Sequence, residues 1–181
     1  MRINVSQQLK ASIGSIQNYE VSGIVNVAGG KSMVQGEVGL MRTDRSILAK
    51  GTLHTEVEVT CSRCLGLFSC LLTLNIEEEY FPIKDVVSGT SLPLPEEPGC
   101  LTIDEHHVID LTEAIRQYAL LAIPMKPLCR EDCAGLCPHC GHNLNQGPCD
   151  CSPQETEPRW SELSKLTLAS DAVVNEQEGK E

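Results

Sequence analysis

"LHTEVEVTCSRCLGLFSCLLTLNI", residues 53–76, alternates with a period of two on both sides of a cysteine pair. Leu53, Thr55, Val57, Val59 and Cys61 share one face, and His54, Glu56, Glu58 and Thr60 the other. Successive side chains of a strand point to opposite faces, so this is the pattern of a half-buried strand. Beyond "CSRC" it resumes, with Cys70, Leu72, Leu74 and Ile76 opposite Leu71, Thr73, Asn75 and Glu77. The two runs read as an antiparallel hairpin with Cys61 and Cys64 at its turn.

Upstream, "INV" at 3–5 is a short edge-like start. "YEVSGIVNV" at 19–27 and "MVQGEVGLM" at 33–41 alternate in part, separated by the turn residues "AGGKS". "RTDRS" at 42–46 reads as the next turn. Downstream, "KDVVSGTSLPLPEEPGC" at 84–100 carries three prolines and two glycines and reads as a linker. "HVIDLTEAIRQYALLAIP" then predicts a helix, with Asp110 as N-cap, Glu113 closing a capping box and Pro124 as the stop. Leu111, Ile115, Tyr118 and Ala122 form its apolar face, which would pack on the sheet. A shorter helix is expected after Pro158, with Trp160, Leu163 and Leu166 on one side.

The expected fold class is therefore α+β. An N-terminal antiparallel β-sheet, curled or barrel-like, is followed by a packing helix and a C-terminal zinc-knuckle module. The expected boundaries are a β domain over 1–83, a linker over 84–100, the helix and Cys-rich module over 101–168, and a disordered tail over 169–181.

Six cysteines fall within the 23 residues from Cys129 to Cys151. The opening "MRINVSQQLK" has no apolar stretch behind Arg2, and the longest apolar runs are too short to cross a bilayer. A soluble, cytoplasmic protein is expected, and reducing compartments disfavour structural disulfides. Paired thiols there point to metal. In "CPHCG", Pro138 fixes φ after Cys137 and Gly141 tolerates the positive φ that follows a knuckle's second ligand. Cys149 and Cys151 supply a second pair after eight intervening residues. Cys137, Cys140, Cys149 and Cys151 are accordingly read as one zinc site.

"CSRC" lacks the helix N-terminus that activates a redox pair, so Cys61 and Cys64 are read with Cys129 and Cys133 as a second zinc site. Spacing alone leaves a rival partition open, in which Cys129 and Cys133 join Cys137 and Cys140. Cys70 continues an apolar strand face and reads as core. His139 and His142 flank the ligands and are expected to be exposed, and His106 and His107 have no partner pattern. Arg63, inside the first knuckle, is a candidate RNA or partner contact, because a basic side chain there can reach a phosphate. Pairing a nearby carboxylate is its plainer role.

The net charge of −11 argues against general affinity for bare nucleic acid. Its distribution is uneven, however. Residues 1–75 carry seven Lys/Arg against five Asp/Glu, whereas residues 76–110 carry one against nine. The six aromatic residues offer few platforms for stacking bases. No phosphate-binding loop and no nucleophile or metalloprotease motif is found.

"VEVTCSRCLGLF", then "IDLTEAIRQYALLAIPMKPLCREDCAGLCPHCGHNLNQGPCDC" and "PRWSELSKL", resemble the YceD family, bacterial and plastid proteins described as large ribosomal RNA subunit accumulation proteins. The resemblance runs to about Leu166, and the family's cysteine motifs fall on Cys61, Arg63, Cys64, Cys129, Cys133, Cys137, Cys140, Cys149 and Cys151. It implies a role in accumulation of large-subunit ribosomal RNA, through its processing, protection or assembly into the ribosome. The expected function is non-catalytic binding to a precursor large subunit, its RNA or its ribosomal proteins. A zinc-dependent nuclease or thiol oxidoreductase and a protein-only adaptor are the rival readings.

Overall fold

A computed structural model describes residues 1–95 and 99–151 of the chain. It divides into two compact units, Met1–Gly135 and Leu136–Glu181. The helix expected after Pro158 and the tail over 169–181 lie outside the described residues.

The first unit is mostly β. Strands β1 (Arg2–Asn4), β2 (Ile16–Val27), β3 (Gly30–Arg42), β4 (Ile47–Thr60), β5 (Leu67–Pro82), β6 (Leu101–Ile103) and β7 (Val108–Asp110) are joined by helices α1 (Ser6–Lys10) and α2 (Thr112–Ala122). β2 to β5 form an antiparallel meander, and β6 adds in parallel at the end of β5, with Tyr80 opposite Leu101. β1 and β7 form a separate two-stranded ladder. Among the described residues the helices have five and eleven residues, so the described fold is mostly β rather than the α+β of the expectation. β6 and β7 follow the Pro/Gly-rich stretch yet belong to the same unit as the meander, and the division falls after Gly135.

The meander extends further than its apolar alternation. β2 and β3 pair from Ile16↔Met41 to Val27↔Gly30, so the polar strand ends join the ladder. Their turn is only two residues, Ala28 and Gly29, both with positive φ (51° and 86°), the hand that matches strand twist. Inward positions of β4 and β5 build the core: Leu53, Val57, Leu72, Leu74, Ile76 and Tyr80 are all buried. Two inward positions are glycines. A Cβ at Gly36 would collide with the Thr52 carbonyl, and one at Gly51 with that of Glu37. Without side chains to hold β3 and β4 apart on that face, the sheet curls there.

α2 packs Leu111, Ala114, Ile115 and Ala119 against β5 and β2. Its start differs from the predicted capping box. Asp110 belongs to β7, pairs with Arg2 at 3.3 Å and accepts the Thr112 N–H at 3.0 Å, while Leu111 occupies the cap position. Glu113 faces away, accepting from Arg116 at 2.6 Å and Gln117 at 2.9 Å. The helix ends at Ala122, ahead of Pro124, with Ile123 extended. Within 84–95 the loop has order of its own: Lys84 bridges Ser91, and the Asp85 carboxylate accepts the Val87 and Ser88 N–H groups.

Candidate metal centres

The tip of the β4–β5 hairpin is shaped by two backbone hydrogen bonds. Cys61 N–H donates to the Gly66 carbonyl at 2.9 Å, and Leu65 N–H donates to the Cys61 carbonyl at 3.0 Å. This reversal brings Cys64 beside Cys61 and aims the Arg63 amide at the Cys61 sulfur, 3.5 Å away. Leu65 follows the second cysteine with φ +56°. The loop after α2 is tied to the same tip. Ser62 N–H donates to the Pro127 carbonyl at 2.8 Å, and the Arg63 guanidinium donates to the Cys133 carbonyl at 3.0 Å. Gly135 has φ +77° and lies against the Arg63 backbone.

Cys129 and Cys133 thereby reach the hairpin across 65 and 72 residues of sequence. Cys61 Sγ is 3.8 Å from Cys133 Sγ, and Cys64 Sγ is 3.7 Å from Cys129 Sγ. A disulfide needs about 2.05 Å. Four sulfurs around a tetrahedral zinc ion, with Zn–S of about 2.3 Å, stand about 3.8 Å apart. All four sulfurs lie within 4.8 Å of one another. Cys61, Cys64 and Cys133 are buried and Cys129 is exposed.

The second unit repeats the device. Cys137 N–H donates to the His142 carbonyl at 2.8 Å, and Gly141 N–H donates to the Cys137 carbonyl at 2.9 Å. Gly141 takes the position of Leu65, with φ +71°. Leu136 bridges Asn143, and the Asn143 carboxamide oxygen accepts the Asn145 N–H at 3.0 Å, holding the loop that leads to Cys149. Cys137, Cys140, Cys149 and Cys151 have their sulfurs within 4.8 Å of one another. Only Cys137 of these is buried.

Each group has a polarised pattern of acidity. The amides of Cys64, Cys129 and Arg63 bring the Cys61 thiol down to about 6, against the opposing effect of burial. The amides of Cys140 and His139 do the same for Cys137, also to about 6. Cys129, although exposed as a residue, is pushed up to about 12 by partial desolvation of its sulfur and by its bonds to the Cys133, Cys64 and Cys61 thiols. Cys151 is pushed up to about 12 by its bond to Cys140, then by partial desolvation of its sulfur and by its bonds to Cys137 and Cys149. Four thiolates this close repel one another, and a divalent cation turns that repulsion into ligation. The donors are all sulfur, the set preferred by closed structural sites. Both groups could hold a metal ion.

Eight of the ten cysteines are thus gathered, and Cys129 and Cys133 stand with Cys61 and Cys64. Cys70 and Cys100 are half-buried outside both groups. His106, His139 and His142 are exposed and His107 is half-buried. The left-handed Leu65 escapes sequence reading, because the expected glycine sits one residue later, at Gly66. No helix among the described residues is long and apolar enough to cross a membrane.

Comparison with known proteins adds the family. The model for the large ribosomal RNA subunit accumulation protein YceD matches residues 49–167. An uncharacterized protein of Mycobacterium tuberculosis H37Rv, Rv2926c, is 33% identical over 120 residues, covering 66% of this chain and 55% of the relative. The chloroplastic large ribosomal RNA subunit accumulation protein YCED homolog 1 of Zea mays is 30% identical over 131 residues, covering 59% and 44%. The matched part of the chain therefore spans only about half the length of these relatives. No solved structure gives a significant match. The family match runs from within β4 through both four-cysteine groups, and on that ground the chain belongs to the YceD family.

Proposed function

We propose that this protein is a non-catalytic factor that supports accumulation of large-subunit ribosomal RNA by binding a precursor RNA–protein particle. Two zinc ions fix the shape of its contacting loops. Cys61, Cys64, Cys129 and Cys133 hold one ion, and Cys137, Cys140, Cys149 and Cys151 hold the other. The observation that carries the reading is family membership together with two all-sulfur donor sets. A catalytic zinc keeps a coordination position for water, and four thiolates fill all four. The ions are then structural, supplying binding free energy to loops with almost no regular secondary structure.

Arg63 is the side chain we assign to a phosphate. Its guanidinium gives one N–H to Cys133 and keeps others at an exposed position beside the first knuckle. The work would be done where the ribosome is assembled, in the cytoplasm. Deleting the gene is expected to lower large-subunit relative to small-subunit ribosomal RNA, and the tagged protein should co-sediment with precursor large subunits. An unchanged ratio in a clean deletion refutes the reading. RNA cleavage by the purified protein that stops on cysteine replacement favours the nuclease instead.

A further inference from the structure

β5 is a sixteen-residue strand with two very different edges. One edge is paired with β4 along its length from Leu67 to Tyr80. The other is paired only at its end, where Tyr80 to Pro82 meet β6. Just before that junction, at Glu77, a side chain takes the place of a strand. The Tyr118 hydroxyl accepts the Glu77 N–H at 3.3 Å and donates to the Glu77 carbonyl at 3.1 Å. Glu77 therefore directs both backbone groups outward. In a strand every second residue does the same, so Asn75, Thr73, Leu71, Ser69 and Leu67 also point N–H and C=O at this edge. No described strand pairs with it there.

The segment "LFSCLLTLN" at 67–75 contains no charged residue, no proline and no glycine. A long apolar edge without charges or bulges is what soluble proteins avoid unless something covers it. Here Leu67 is 68% exposed and Leu71 81% exposed. On the helix side, Leu121 is one turn beyond Tyr118 on the same flank of α2 and is 83% exposed. The neighbouring charges are acidic. Glu56 lies directly opposite Leu71 and Glu58 opposite Ser69, and no described cation pairs with either.

We infer that the outer edge of β5 from Leu67 to Asn75 is a strand-addition surface that takes an extended, basic segment of a partner protein. The main-chain groups supply the ladder. One alternate set of guest side chains is Lys or Arg, whose stems cross Leu67 and Leu71 to reach Glu56 and Glu58 on the same face. The other set is apolar and meets Leu121 on the helix side. Charge disfavours a second copy paired through the same edge, because that would bring the Glu56 and Glu58 carboxylates of both copies to one junction. The inference goes beyond the proposed function, because it names a protein-contact surface whose test does not depend on ribosomal RNA.

The test uses the full chain with metal bound and two synthetic peptides, one alternating Lys and Val and one alternating Glu and Val. Affinity is read by fluorescence anisotropy and edge protection by amide hydrogen exchange. The Lys-Val peptide is expected to bind and to slow exchange at Ser69, Leu71 and Thr73, and the Glu-Val peptide to do neither. Thr73→Pro removes one outward N–H without touching the β4 ladder and is expected to weaken binding about tenfold. Thr73→Val keeps the N–H and should bind as the parent does. Glu56→Gln with Glu58→Gln should remove the preference for the cationic peptide. Unchanged exchange at these amides under saturating Lys-Val peptide overturns the inference. So does protection already present in the free protein, whether it rises with concentration, as in self-pairing, or is independent of it, as in an edge covered from within.

Discussion

The two four-cysteine groups use one local design in two different settings. Both begin with a CxxC knuckle closed by the same pair of backbone hydrogen bonds, and both have their first thiol lowered by knuckle amides. The first joins a hairpin tip to a loop 65 to 72 residues away and is mostly buried. The second draws all its ligands from residues 137–151 and is mostly exposed. A metal that closes a long loop and covers a core edge constrains the fold more than one that staples a short loop. The first group is thus an architectural joint of the β unit, and the second organises itself.

The sharpest way to break this contrast is to remove one metal at a time. Cys61→Ser is expected to leave one zinc per chain by native mass spectrometry. Loss of that metal should cost the β unit about 4 kcal/mol or more in denaturant unfolding. Cys137→Ser should also leave one zinc, yet leave unfolding of the β unit unchanged. Equal destabilisation by the two variants would erase the distinction. A yardstick comes from the core itself: Leu53 is fully buried, and Leu53→Ala should cost about 2–5 kcal/mol with both metals retained.

A smaller effect separates the knuckles themselves. Leu65 and Gly141 occupy the same left-handed position, where a side chain costs about 1–2 kcal/mol. Gly141→Leu should weaken metal retention in the second unit, measured by competition with a chelator. Leu65→Gly should stabilise the first by about 0.5 kcal/mol, because glycine's greater unfolded-state freedom offsets part of the gain. The smallest effect is one of pH and lies away from both cysteine groups. Bonds from Arg116 and then Gln117 hold the Glu113 carboxyl down at about 2. Its contribution to α2 is complete above the ordinary value of 4.5 and is lost as pH falls from there through about 2. Glu113→Gln should flatten that slope in an acid titration followed by circular dichroism.

How much of this could be read beforehand follows from how local each feature is. The alternation of residues 53–61 and 70–76 is visible because each strand has one wet and one dry face. The CxxC pairs are visible because a knuckle is six residues long. β6 and β7 are not visible, since three residues carry no period and their partners, Tyr80 to Pro82 and Arg2 to Asn4, are chosen by tertiary structure. Asp110 has the composition of a cap but is drawn into the ladder with Arg2. Spacing identifies cysteine pairs without saying which pair meets which. The path that carries Cys129 to Cys64 depends on contacts such as Ser62 with Pro127, which no window of sequence contains.

The hydroxyl of Tyr118 also works as an end-stop. By occupying the backbone of Glu77, it closes the open side of β5 just short of the β6 junction, while the knuckle turn closes the other end at Leu65. What lies between, from Leu67 to Asn75, is a berth of fixed length, about 27 Å at the usual rise of a strand. A guest longer than this must bend away at both ends, and a much shorter one leaves apolar surface wet. The molecule therefore carries a gauge for length as well as for charge.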